Sequence, residues 1–249
     1  MLDLLFNDPD CVAVTKPAGL ATIPGRAETT SVLEQIGLQL SLPSTGTTDP
    51  RIRVVHRLDK ETSGVLLFAK HAEAQRALSH QFQNNFIQKE YLALVYGRPS
   101  EDQGEIDQPL APHPTQKDRM AISRQGRPAT TAWRIEQRYR QYTLLRVFPK
   151  TGKTHQIRVH LKSIGHPLAI DPLYNPALPG KDSALFLSDF KRDYRPSRSN
   201  DERSLISRLT LHAHKLTFQH PTTGHPLTLE SPLPKDLRAT LNQLSRHGT

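Results

Sequence analysis

Five consecutive apolar residues, Val65-Leu66-Leu67-Phe68-Ala69, follow directly on a charged, polar block at residues 56–64. Successive side chains of a strand point to opposite faces, so an unbroken apolar run of this length reads as a strand buried on both sides. The sheet that contains it must be covered twice. The rest of the chain offers candidates for the covering layers. Ala74, Leu78, Phe82 and Phe86 recur every fourth residue, with Ala77 beside them, and predict a helix with one apolar stripe. Ile157, Leu161 and Ile164, followed by Gly165-His166-Pro167, predict a short helix that starts near Thr154 and stops at glycine. Tyr91 to Tyr96 reads as a strand ended by Gly97-Arg98-Pro99. Thr131, Trp133 and Ile135 alternate, residues 142–148 form a second strand pattern, and the two suggest a hairpin. Residues 209–218 alternate again before the turn His220-Pro221-Thr222-Thr223-Gly224. Residues 42–51 read as a loop, and residues 178–208 as an insertion or mobile loop. Strands with interspersed helices in no regular βαβ rhythm indicate the α+β class.

A chain of 249 residues can bury a core without disulfides or a structural metal. Its single cysteine, Cys11, cannot form an internal disulfide, which points to a reducing, cytoplasmic setting and removes every Cys-based zinc or iron–sulfur pattern. Asp3, Asp8 and Asp10 with no basic residue before Cys11 argue against a secretory signal, and no apolar run is long enough for a membrane span. The net charge is +9, and its placement is informative. Residues 113–158 carry eleven of the basic residues and only Asp118 and Glu136 among the acids, so that stretch accounts for the whole excess. Two readings follow: a polyanion partner bound through its phosphates, or a solvated basic face.

Two clusters can carry chemistry. The block His56-Arg57-Leu58-Asp59-Lys60-Glu61-Thr62-Ser63-Gly64 places a carboxylate among basic residues at the mouth of the buried strand. A preformed site could desolvate Asp59 and hold it as a nucleophile; an ion-paired turn between Asp59 and Arg57 has the same composition. The second cluster, Thr151-Gly152-Lys153-Thr154-His155-Gln156-Ile157-Arg158-Val159-His160, contains Gly-Lys-Thr, but Val147 stands where a phosphate loop needs its first glycine. Neither a serine-hydrolase elbow nor a dinucleotide fingerprint occurs. His212-Ala213-His214 would share a strand face without a carboxylate at ligand spacing, which fits a structural or solvent-facing role better than a metal site.

In combination, these segments resemble the RluA-type RNA pseudouridine synthases from about Lys16 to Gly224. Lys16-Pro17-Ala18-Gly19-Leu20 resembles the family's opening element. His56-Arg57-Leu58-Asp59 with Thr62-Ser63-Gly64 resembles its catalytic motif, and Lys89-Glu90-Tyr91-Leu92-Ala93-Leu94-Val95-Tyr96-Gly97 the element whose Tyr lies against the target base. Residues 151–161 with Gly165-His166-Pro167 resemble the motif that supplies an active-site Arg, and Leu211-His212-Ala213 with Leu216, Phe218, His220 and Pro221 the closing strand. Five elements in the family's order are far more specific than any one. Ile170 and Asn175 depart from the glycines usual in the family, while Asp171 and Tyr174 remain; Lys153 stands where Arg is commoner.

The resemblance implies an α+β pseudouridine synthase fold: a mixed, largely antiparallel sheet with flanking helices and a basic active-site cleft. It implies one catalytic domain over residues 1–249; with only the residues before Lys16 ahead of it, no S4 domain is expected. Asp59 would be the nucleophile, Arg158 would pair with it, and Tyr91 would stack on the flipped base and take the final ring proton. Arg57, His56, Lys117, Arg119, Lys153 and His155 would contact RNA, a stem-loop of ribosomal or transfer RNA. No metal or cofactor is implied, and a monomer is expected. The rival readings are a non-catalytic basic RNA-binding or ribosome-assembly protein, and a glycosidic hydrolase using Asp59 with Glu61.

Overall fold

The computed structural model describes residues 1–25, 30–175, 184–191, 193–195 and 202–248. In chain order the elements are β1 (Asp3–Asn7), β2 (Cys11–Lys16), α1 (Val32–Leu40), β3 (Arg53–Val54), β4 (Ser63–Ala69), α2 (Ala72–Gln83), β5 (Gln88–Tyr96), β6 (Gln103–Asp107), β7 (Leu110–Pro112), β8 (Met120–Ile122), β9 (Thr130–Arg138), β10 (Tyr142–Pro149), α3 (Gln156–Ser163), β11 (Leu211–Gln219), β12 (Pro226–Glu230) and α4 (Lys235–His247). A 3-10 turn lies at Leu187–Asp189. The class is α+β. The chain forms two compact units, Met1–Tyr91 with His212–Pro232, and Leu92–Leu211 with Leu233–Thr249.

In the first unit the strands run in the order β1-β2-β4-β11, with β3 paired to β4 and β12 to β11. The sheet is mixed: β4 and β11 are parallel, and the pairs β1–β2, β2–β4, β3–β4 and β11–β12 are antiparallel. All seven residues of β4 are buried, as its apolar run requires. Val12, Val14, Leu66 and Phe68 pack on one face with Val32, Leu33 and Ile36 of α1. Their sequence neighbours Cys11, Ala13, Val65, Leu67 and Ala69 pack on the other face with Ala74 and Leu78 of α2. The alternation of period two thus divides β2 and β4 between two cores. Helix α1 was not evident from the apolar pattern; Ser31 starts it, its hydroxyl accepting from the Glu34 amide. Helix α2 ends earlier than its stripe suggested. Asn85 turns into the left-handed region at φ 57°, which carries Phe86 off the buried face and leaves it 65% exposed.

In the second unit residues 92–96 of β5, then β10, β9 and β6 form the sheet, with β10–β9 and β9–β6 antiparallel. The expected hairpin is β9–β10. A separate antiparallel pair, β7–β8, carries the turn at residues 113–119. The main core joins Leu92, Leu94, Tyr142 and Leu144 of the sheet to Leu237, Leu241 and Leu244 of α4. Leu185, Phe190 and Ile206, within the expected insertion at 178–208, are buried in that same core; residues 178–183, 192 and 196–201 lie outside the described residues. Among the described residues no helix is long and apolar enough to cross a membrane.

Gly64 sits where β4 meets β2 on one side and β11 on the other, opposite Lys16 and Ala213. Its φ is +121°, and an added Cβ would lie 2.1 Å from the Ala213 carbonyl oxygen. Only glycine satisfies both conditions. Gly64→Ala is expected to lower stability by about 2–3 kcal/mol in urea denaturation. A loss below about 0.5 kcal/mol would mean that the β4–β11 junction relaxes without strain.

Candidate active site

Asp59 lies between two residues that are fixed from both sides. Its predecessor is held by Thr22, whose Oγ1 donates to the Leu58 carbonyl at 3.0 Å and accepts the Leu58 amide at 3.2 Å. Its successor is held at the carbonyl: Lys60 O accepts the Gly19 amide at 3.0 Å and the Lys16 ammonium at 2.7 Å. The fully buried Lys16 Nζ also donates to Pro17 O at 2.9 Å and Leu20 O at 2.7 Å, so one group joins the opening element to the Asp59 turn. The turn closes with the Thr62 amide on the Asp59 carbonyl at 3.1 Å and runs into β4. There Ser63 Oγ lies 3.0 Å from His212 Nδ1, while His212 Nε2 reaches the Ser231 carbonyl at 3.2 Å. A carbonyl only accepts, so Nε2 carries a proton, and in the neutral ring Ser63 donates to Nδ1. His212 is therefore the structural histidine that its strand position suggested.

The Asp59 side chain is half-buried. Tyr91, on β5, packs against the α1-side core, and its phenol is raised above its usual range, first by burial and then by the charge of Asp59. The two side chains thus share one electrostatic environment. Arg57 is exposed. His56 is turned inward: its Nε2 accepts the Leu67 amide at 3.0 Å and its ring stacks on Phe82 with centroids 4.5 Å apart. Burial, and secondarily Lys89, push its pKa down to about 3, so the ring is neutral.

The remaining expected residues lie in the second unit. Arg158, on α3, is 6% exposed and grips Asp171 through Nε at 2.8 Å and Nη2 at 2.7 Å. Sequence reasoning noted Asp171 only as a position shared with the family; it is the clamp that orients the guanidinium. His155 takes the left-handed region at φ 53° as the residue before α3, which begins at Gln156, two residues past Thr154. Its Nδ1 lies 2.8 Å from the Tyr174 hydroxyl. Gln156, missed from sequence, ties the loop down: its Oε1 accepts from Thr151 Oγ1 at 2.7 Å and the Lys153 amide at 3.0 Å, and its Nε2 donates to Thr130 O and Thr131 Oγ1. Lys117 is exposed and Arg119 partly so, in the turn between β7 and β8.

Among the described residues Asp8, Cys11 and His220 bring ligand atoms within 4.8 Å of one another. Their hydrogen bonds define a clasp. His220 Nδ1 accepts the Thr222 and Thr223 amides, so Nε2 carries the proton it shares with Asp8 Oδ2 at 2.7 Å. A metal at Nε2 would require the imidazolate. Burial, and then the nearby Asp8, push the Cys11 thiol up to about 12, which keeps it protonated.

Comparison with known proteins gives a consistent result. The RNA pseudouridylate synthase family model matches residues 10–163. The chain is 39% identical over 243 residues to ribosomal large subunit pseudouridine synthase D of Nitrosomonas europaea, covering 98% of this chain and 65% of that protein. It is 34% identical to the protein of the same name from Escherichia coli K12, covering 95% and 68%. It therefore spans about two thirds of the length of these relatives. The structure of human RNA pseudouridylate synthase domain containing 4 superposes with a TM-score of 0.74 at 25% identity, covering 98% of this chain and 93% of that one. The chain belongs to the RNA pseudouridylate synthase family, whose enzymes are isomerases that act on RNA.

The neutral state of His56 has a measurable consequence. Its folded pKa lies below the ordinary 6.5, so the fold is stabilised above that pH and loses stability as pH falls toward about 3. The decline attributable to this residue is at most about 1.4 kcal/mol per pH unit. His56→Gln is expected to flatten the stability profile between the two pKa values in urea titrations. A slope identical to wild type would place the acid sensitivity elsewhere.

Proposed function

We propose that this chain isomerises uridine to pseudouridine in structured RNA, with Asp59 as nucleophile. The observation that carries the reading is the fixed turn: a carboxylate held between the anchored Leu58 and Lys60, beside Tyr91, at the position of the family's catalytic motif. In the reaction the N1–C1′ bond of uridine breaks, the base rotates, a C5–C1′ bond forms, the C5 proton leaves and N1 takes up a proton. Atoms balance without an oxidant, reductant or second substrate. Attack by Asp59 on the uracil ring or on the anomeric carbon would serve equally. The target uridine leaves its stack first, at a cost of a few kcal/mol, and we assign the exposed Arg57 to the space it vacates.

Tyr91 has two parts in this scheme. Its ring stacks on the flipped base. Its oxygen takes up the C5 proton as its own phenolic proton passes to solvent, so that proton and charge are conserved. Arg158, clamped by Asp171, supplies a fixed positive charge. Lys117, Arg119, Lys153 and His155 hold the backbone of the RNA and set its register, and the concentrated charge of residues 113–158 supports that role. The names of the relatives favour large-subunit ribosomal RNA as the substrate. We further infer that a stem-loop of that RNA suffices, that the enzyme works as a monomer and that it acts in the cytoplasm, where a reduced lone cysteine is at home.

Asp59→Asn preserves shape and removes the ionisable carboxylate. The variant is expected to bind a large-subunit ribosomal RNA transcript like wild type and to form no pseudouridine. Activity within about tenfold of wild type, about 1.4 kcal/mol in the barrier, would contradict the assignment of Asp59 as nucleophile. Tyr91→Phe is expected to bind and turn over slowly, while Tyr91→Ala loses binding too. Equal, mild effects would reduce Tyr91 to core packing.

A further inference from the structure

Tyr174 stands at the junction of three parts of the second unit that the proposed reaction uses. Its ring lies 5.0 Å from the Arg158 guanidinium carbon. Its amide donates at 3.1 Å to Asp171 Oδ1, the same oxygen that receives Arg158 Nη2 at 2.7 Å. Its hydroxyl accepts the Met120 amide at 2.7 Å and lies 2.8 Å from His155 Nδ1. The residue is 3% exposed and shares a small core with Leu110, Ala129 and Val159.

The hydroxyl contacts are directional. The Met120 N–H occupies one lone pair of the hydroxyl oxygen, and the same oxygen lies within hydrogen-bond reach of His155 Nδ1, so one atom joins β8 to the residue before α3. Met120 is the first residue of β8 and follows Arg119 directly. β7 and β8 are three residues each, and a two-stranded ribbon of that length is marginal without outside support. The Tyr174 hydroxyl supplies support at the base of the turn that carries Lys117 and Arg119. The ring and amide of the same residue meanwhile fix Arg158 and its clamp.

We propose that Tyr174 is a positioning residue that holds the basic 113–119 turn and Arg158 in a common register, so that the grip on the RNA backbone and the fixed charge are set together. The inference rests on the function proposed above. It separates the two halves of the side chain: the hydroxyl governs RNA affinity through the turn, and the ring governs turnover through Arg158. Packing alone would require neither the division nor the hydroxyl.

The test uses the full chain and an unmodified transcript of large-subunit ribosomal RNA, with pseudouridine formation as the assay. Tyr174→Phe keeps the ring and removes the hydroxyl. It is expected to raise KM about three- to tenfold, the effect of one lost hydrogen bond, with kcat within about twofold of wild type. Hydrogen exchange should quicken at Met120 and its neighbours and nowhere else, with the melting transition still cooperative. In a Lys117→Gln/Arg119→Gln background the same substitution should change KM by less than about twofold, because the contacts it aligns are gone. Equal effects in the two backgrounds, a kcat loss as large as the KM rise, or unchanged exchange at Met120 would overturn the positioning role and leave the proposed reaction standing. Absence of pseudouridine formation by wild type would instead overturn the proposed function, and this inference with it.

Discussion

The Lys16 ammonium is the contact on which the rest of the first unit's site depends. It is fully buried and donates to the carbonyls of Pro17, Leu20 and Lys60. Removing such a charge from water costs several kcal/mol, and only near-complete hydrogen bonding offsets it. Two loops from distant parts of the chain must therefore converge on one nitrogen. Lys16 is also the last residue of β2 and lies opposite Gly64 in β4. Strand register and loop geometry are thus set by the same residue, and Asp59 is placed by both. A shift of one residue in β2 against β4 would strand the charge and exchange the two cores of the sheet.

Burial on two faces explains why the chemistry sits where it does. β4 is apolar throughout because α1 and α2 cover opposite sides of it. Polar function can then appear only beyond its ends, and the 56–64 block occupies the end from which Lys16 reaches back. Histidines in and around this sheet serve as directional hydrogen-bonding groups. His56 accepts a backbone amide, His212 bridges Ser63 to Ser231, and His220 links Asp8 to the turn after β11. Each holds backbone or strand ends in place. The permanent positive charge lies with the Lys and Arg residues.

Periodicity made β4, β5, the β9–β10 hairpin, α3 and β11 legible, because each buries a face at its own period. Helix α1 was harder to read, since its apolar residues Val32, Leu33 and Ile36 span little more than a turn and Gly37 interrupts the pattern; Ser31 and Glu34, a capping pair, were the available signal. β12 escaped notice because only Leu229 among its five residues is buried. Composition alone favoured an ion-paired turn for Asp59, and the order of five motifs is what pointed to a nucleophile instead. Arg158 was found the same way. Its clamp was not, because Asp171 lies thirteen residues away and the pairing arises from tertiary folding rather than helical spacing. The inward turn of His56 was equally hidden: nothing in the motif distinguishes a base-contacting imidazole from one that holds a strand amide.

The central claim is that an anchored carboxylate moves the glycosidic bond of uridine from nitrogen to carbon without losing the base. Large-subunit ribosomal RNA transcribed with uridine tritiated at C5 tests it directly, because C5 surrenders its hydrogen only when the new bond to the ribose forms. Incubation with the wild-type chain should pass tritium to water in step with the pseudouridine formed, with no free uracil in solution. Tritium retained in bound RNA would show a binding protein, and uracil released with its tritium would show a hydrolase; either result would contradict the account.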